Sequence, residues 1–181
     1  MKINESIRDE LAATLADNLN KRFKKHQAAY FLSGQSGAPT EVREFVSSGS
    51  SMLDLVISNG PNGGFPVGRI TEITGLEASG KSLLAAHTLA NTQKKGGVAV
   101  YIDTENATSV ENLAMLGVDV SKRFVYVDTH CTEDVFQVAE STILKAKAMQ
   151  KDVPVTIIWD SVAASSPKAE LVGDYDKDSI G

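Results

Sequence analysis

Eight residues constrain this chain more than any others: Gly75-Leu76-Glu77-Ala78-Ser79-Gly80-Lys81-Ser82. They match the pattern G-x-x-x-x-G-K-[ST], in which each fixed position has a physical task. The glycines allow a tight turn and close approach of the backbone to a ligand. Successive backbone N–H groups, backed by the N-terminus of a following helix, form a cradle for anions. Lys81 can reach the β- and γ-phosphates of a nucleoside triphosphate, and the Ser82 hydroxyl can ligate Mg²⁺. Such a loop is expected between a strand and a helix. The flanking sequence supplies both candidates, Arg69–Thr74 before it and Lys81–Lys94 after it. Glu77, Ala78, Ser79 and Leu83 complete the expected nucleotide contacts, and ATP with Mg²⁺ is the implied ligand.

The rest of the chain alternates between periods of two and of about 3.6. Strands are expected at Val98–Ile102, Phe124–Val127 and Val155–Trp159. Helices are expected at Val110–Leu116 and Glu133–Gln150, with a shorter one at Ser51–Ile57. This order predicts an α/β fold with a mostly parallel sheet flanked by helices. Upstream, Ile7, Leu11, Leu15, Leu19 and Phe23 recur every four residues, so an amphipathic helix is expected over 3–29. Ser33-Gly34-Gln35-Ser36-Gly37-Ala38-Pro39 reads as a linker. Three segments follow: 1–33 as an N-terminal helix and oligomerisation arm, 34–68 as a linker and lead-in, and 69–181 as the core.

Two carboxylate groups fall where a nucleotide site needs them. Asp160 ends the apolar run Val155-Thr156-Ile157-Ile158-Trp159, the position of a Mg²⁺-supporting acid. Asp103 and Glu105 follow the strand at Val98–Ile102. Ligands of open parallel sheets sit at the C-terminal strand ends, so either acid is a candidate to polarise an attacking water. His130 and Cys131 are adjacent, but no further residue has ligand spacing, and a loop at a strand end accounts for them. His87 and Trp159 are expected to be structural.

Composition sets the remaining bounds. The chain has 181 residues and a formal net charge of −5. Taken alone, that charge argues mildly against a nucleic-acid binder without excluding one, and Lys21-Arg22-Phe23-Lys24-Lys25-His26 is a local basic cluster. Cys131 is the only cysteine, which excludes an internal disulfide and fits a reducing compartment, with the cytoplasm as default. No apolar run approaches the roughly 18 residues of a membrane span.

Taken in order, these motifs resemble the RecA recombinases. The resemblance runs from about Val46 to the last residue. It is carried by Gly63-Gly64-Phe65-Pro66-Val67-Gly68-Arg69-Ile70, Tyr101-Ile102-Asp103-Thr104-Glu105-Asn106-Ala107, Leu116-Gly117-Val118-Asp119, and Asp160-Ser161-Val162-Ala163-Ala164 with Pro167-Lys168-Ala169-Glu170. It implies a RecA-like P-loop ATPase that assembles as a filament on single-stranded DNA and exchanges strands with double-stranded DNA. Glu105 would activate water. Ser109 and Asn112 would fall at the base-contact positions, without the aromatic residue common there. Gly173, Ile180 and Gly181 would fall in a DNA-binding loop, within the acidic tail Gly173–Asp178. The N-terminal helix would be a polymerisation helix. The chain stops at Gly181, before the family core ends, so the resemblance implies a partial or truncated product with an unpaired sheet edge. A hexameric helicase, a clock-type ATPase, and a nucleotide-binding assembly module without turnover are the alternatives.

Overall fold

The computed structural model describes residues 10–23, 28–30 and 40–173. The chain divides into two compact units, Met1–Arg43 and Glu44–Gly181. In the first, helix α1 spans Glu10–Arg22. Its Leu11, Leu15, Leu19 and Phe23 stripe is exposed. The helix expected over 3–29 thus ends earlier, at Arg22. The reason is local: the Asn20 side chain accepts from the backbone N–H groups of Ala28 and Ala29 at 2.9 and 2.8 Å. Its amide also donates to the Ala29 carbonyl at 3.1 Å. An Asn that holds a non-helical backbone outcompetes helix propagation. The start of this helix, Lys24–His26 and the Ser33–Pro39 linker lie outside the described residues, as do Ile180 and Gly181.

The second unit is built on a three-stranded parallel sheet ordered β4-β3-β5. Strand β3 is Val98–Asp103, β4 is Phe124–Asp128 and β5 is Val155–Asp160. Helix α3 (Lys81–Lys94) packs on one face, where Ala86, Leu89 and Ala90 meet Ala99, Tyr101 and Leu113. Helix α5 (Thr132–Met149) covers the other, where Val135 meets Val100 and Ile102. Because β3 is central, its Ala99–Thr104 stretch is buried on both faces. Helix α4 (Val110–Met115) follows β3; its first turn is capped by Ser109, whose Oγ accepts from Asn112 N at 3.1 Å. A small antiparallel pair, β1 (Phe45–Val46) with β2 (Phe65–Pro66), and helix α2 (Ser51–Ser58) form the lead-in. After β5 come a 3₁₀ turn at Val162–Ala164 and helix α6 (Lys168–Val172).

Arg69–Thr74 departs from expectation. It is not a strand, and it is exposed throughout. The alternation is nevertheless visible in where side chains point. Arg69, Thr71 and Ile73 line a cleft to which Val155–Ile158 of β5 also contribute.

Candidate functional site

Parallel registration brings three carboxylates into one row at the C-terminal edge of the sheet. Asp128, Asp103 and Asp160 are aligned across β4, β3 and β5. The loop Gly75–Ser82 delivers α3 to the same edge. Gly80, at φ +92°, is the residue before the helix and carries no side chain to cap it. The first-turn N–H groups of α3 are therefore not taken by a side-chain cap. Ala78 also adopts a left-handed φ of +56°, unusual for a residue with a Cβ. The Lys81 ammonium folds over the loop and donates to the carbonyls of Gly75 and Leu76 at 3.1 and 2.9 Å.

The loop and the sheet are joined by one hydrogen bond across 78 residues of sequence: Ser82 Oγ donates to Asp160 Oδ2 at 2.7 Å. The Asp160–Ser161 peptide is cis. On its far side, Ser161 Oγ donates to Glu105 Oε1 at 2.5 Å, so Glu105 is held beside the end of β5. Thr104 strengthens the same junction. Its N–H donates to the Asp160 carbonyl at 2.9 Å, and its Oγ1 donates to the Ser161 carbonyl at 2.6 Å.

Asp103 and Glu105 have separate fates. Asp103 is 1% exposed. It accepts from Glu105 N, Thr108 N and Tyr126 OH, each at 3.0 Å. Burial alone would raise its pKa; the backbone N–H groups of Thr108 and Glu105, with Tyr126, outweigh burial and hold it below the usual Asp value. It is a buried anion braced by three donors, and it too lines the cavity that Glu105 borders. Glu105 is exposed and lines a cavity of about 480 Å³. Ser82, Leu83, Asp160, Ser109 and Asn112 line that cavity too, with an apolar wall of Ala86, Met115 and Leu116. The structure therefore gathers six of the sequence-predicted site residues at one opening, while Gly75, Glu77, Ala78, Ser79, Gly80 and Lys81 lie along the loop and the start of α3 and do not line it. Gly173 is exposed at the end of α6.

His130 is a loop residue, as expected. Its Nδ1 lies 2.7 Å from the Thr104 carbonyl oxygen and its Nε2 lies 3.3 Å from Asn106 Nδ2. Cys131 is buried and leads into α5. Trp159 is half-buried rather than fully enclosed, and packs edge-on against Phe136 with ring centroids 5.6 Å apart. Among the described residues no three His, Cys, Asp or Glu side chains converge as a metal cage.

Sequence reasoning passed over Tyr101, Thr108 and Ser161, all of which touch the carboxylates. For Tyr101 a signal was available. It precedes Asp103 by two residues and so shares its face, and a buried phenol there must find a partner.

The family model for the RecA N-terminal domain matches residues 10–181. The chain belongs to the RecA family. It is 38% identical over 181 residues to Protein RecA of Aquifex aeolicus, an alignment that takes in all of this chain and 48% of that protein. Against Protein RecA of Aquifex pyrophilus the identity is 36% over 182 residues, covering 99% of this chain and 48% of the relative. Against that of Chlamydia abortus it is 40% over 148 residues, or 82% of this chain and 39% of the relative. The chain thus spans about half the length of the relatives it matches. The resemblance read from the linked motifs holds, and the parallel α/β fold agrees with it. No helix among the described residues is long and apolar enough to cross a membrane.

Proposed function

We propose that this chain is the N-terminal and nucleotide-binding part of an ATP-dependent DNA recombinase, with ATP·Mg²⁺ seated on the P-loop Gly75–Ser82. The observation that carries the reading is the Ser82–Asp160 hydrogen bond, with Glu105 lining the same cavity. A hydroxyl and a carboxylate are hard oxygen donors, and their pairing suits Mg²⁺, which prefers one or two carboxylates plus phosphate and water. Mg²⁺, when bound, neutralises charge on the β- and γ-phosphates.

The chain's own residues supply the rest. The loop N–H groups and the α3 N-terminus bind phosphate oxygens. Lys81 exchanges its bonds to Gly75 and Leu76 for phosphate oxygens. The Ser82 hydroxyl hydrogen-bonds to Asp160, which leaves a lone pair of the Ser82 oxygen for the cation. Glu105 orients water; the Ser161 hydroxyl holds it at the end of β5, and the buried Asp103 pins its backbone. Asp103 is less suited to that task, being buried and already accepting three hydrogen bonds. Ser109 and Asn112 lie at the mouth of the cavity, beside Met115 and Leu116, where a base would rest.

In the whole protein this site would drive a filament on single-stranded DNA and exchange of strands with double-stranded DNA. Gly173, Ile180 and Gly181 would lie in the DNA-contacting loop, and residues 1–33 would serve as the oligomerisation arm ahead of the lead-in 34–68 and the core 69–181. A cytoplasmic setting suits the single thiol. The test of the site is nucleotide binding by the chain and by Lys81→Ala. The wild type should bind ATP in the presence of Mg²⁺ and the variant should not. Equal affinity in the two would refute the site.

A further inference from the structure

The hydroxyl of Tyr101 goes beyond what packing requires. Its ring is fully buried against α3 and Leu113, in a place that phenylalanine would fill equally well. A buried hydroxyl is tolerated only when it is partnered. Here it is partnered twice: it donates to Asp160 Oδ2 at 2.6 Å and accepts from Thr108 Oγ1 at 2.9 Å.

The Asp160 oxygen it meets is the one that also accepts from Ser82. Two donors fill the two lone-pair positions of Oδ2. Oδ1 has no donor among the described residues. Rotating the carboxylate out of this orientation would break two short bonds at once. The neighbouring strand repeats the device. Tyr126 reaches diagonally to Asp103 on β3, as Tyr101 reaches diagonally to Asp160 on β5, and the two rings stack 6.4 Å apart within 6° of parallel. The phenols are thus held by ring packing from below and by hydroxyl bonds at the rim.

We propose that Tyr101 is a positioning residue for the divalent cation: its hydroxyl fixes the Asp160 carboxylate so that Oδ1 faces the cation's water shell while Ser82 keeps a lone pair for the cation. Thr108 fixes the phenol in turn. This rests on the reading of the loop as a Mg²⁺–nucleotide site.

The experiment uses the full 181-residue chain and compares Tyr101→Phe with the wild type. ADP and ATP binding are measured by calorimetry in EDTA and across a Mg²⁺ titration, and Mn²⁺ binding to the nucleotide complex is followed by electron paramagnetic resonance. Losing a partner that orients a metal-supporting ligand should raise the Mg²⁺ and Mn²⁺ concentrations at half-saturation on the order of tenfold. Affinity in EDTA should stay within about twofold, because phosphate contacts are untouched. Thr108→Val should shift the cation requirement in the same direction by less, and it serves where Tyr101→Phe disturbs folding. An unchanged cation requirement, or a loss of affinity that is equal with and without Mg²⁺, overturns the proposal and leaves Tyr101 a packing residue. A wild-type chain that binds no nucleotide overturns the site reading itself, a result distinct from the first.

Discussion

Asp103→Asn isolates what the buried carboxylate contributes. The substitution preserves shape and removes charge. Asp103 receives three donors: two backbone N–H groups and the Tyr126 hydroxyl. An asparagine offers one acceptor oxygen and one NH₂ group, so in either orientation at least one buried donor faces another donor. Hydrogen bonds to a charged group contribute about 1.5–3 kcal/mol, neutral ones about 1, and a stranded buried donor costs about 1–3 kcal/mol. The expected loss is therefore about 2–4 kcal/mol. Urea unfolding followed by circular dichroism reads it. With a slope of about 2 kcal/mol per molar urea, the midpoint should fall by roughly 1–2 M. The loss should also depend on pH. The folded pKa of Asp103 is depressed, so its contribution is present above the unfolded value near 4 and is lost as pH falls through the folded value. The gap between wild type and variant should be widest near neutrality and narrow in acid. A midpoint within about 0.3 M of the wild type at pH 7 would refute the reasoning.

Glu105→Gln, placed in a protein of the relatives' full length, should retain ATP binding and lose turnover by at least about 10²; persistent hydrolysis in a phosphate-release assay would move the water-orienting role elsewhere. Gly64→Ala should destabilise the unit by about 2 kcal/mol or more, read as a lower melting temperature. Gly64 sits at φ +124°, and an added Cβ would meet the Val46 carbonyl and lie 2.8 Å from Ser47 Cα, both backbone atoms that cannot swing aside.

How much of this was legible in the sequence depended on how local the cause was. Strands β3 and β5 were legible as short apolar runs, the pattern of parallel strands covered on both faces, and helix α3 as the stretch that the loop opens and Gly96-Gly97 closes. The loop at Gly75–Ser82 was legible for a different reason: its fixed positions form a motif that does not depend on packing, and it does lead into α3. Arg69–Thr74 has a strand's alternation, and Arg69, Thr71 and Ile73 do share one side. Alternation specifies which way side chains point, but a strand also needs a neighbouring strand to pair with, and Arg69–Thr74 belongs to neither sheet among the described residues. The early end of α1 was missed because a single side chain, Asn20, engages backbone eight and nine residues ahead, and helical periodicity holds no record of such a bond.

The donors around the carboxylates were hidden by the same distinction between pattern and partner. Tyr101, Thr108 and Ser161 look like ordinary strand, loop and turn residues when each is read alone. Their roles appear only once parallel registration sets Asp103 opposite Asp160. Two like charges at adjacent strand ends repel, and the site persists because each is answered by its own donors: Tyr126 and two backbone N–H groups for Asp103, Tyr101 and Ser82 for Asp160. That division leaves them unequal. Asp103 is buried under three donors, while Asp160 keeps one oxygen free of donors among the described residues and Glu105 stays exposed at the cavity. The chemistry of the site therefore lies in which oxygens the surrounding hydroxyls leave unoccupied, rather than in how many acids the row contains.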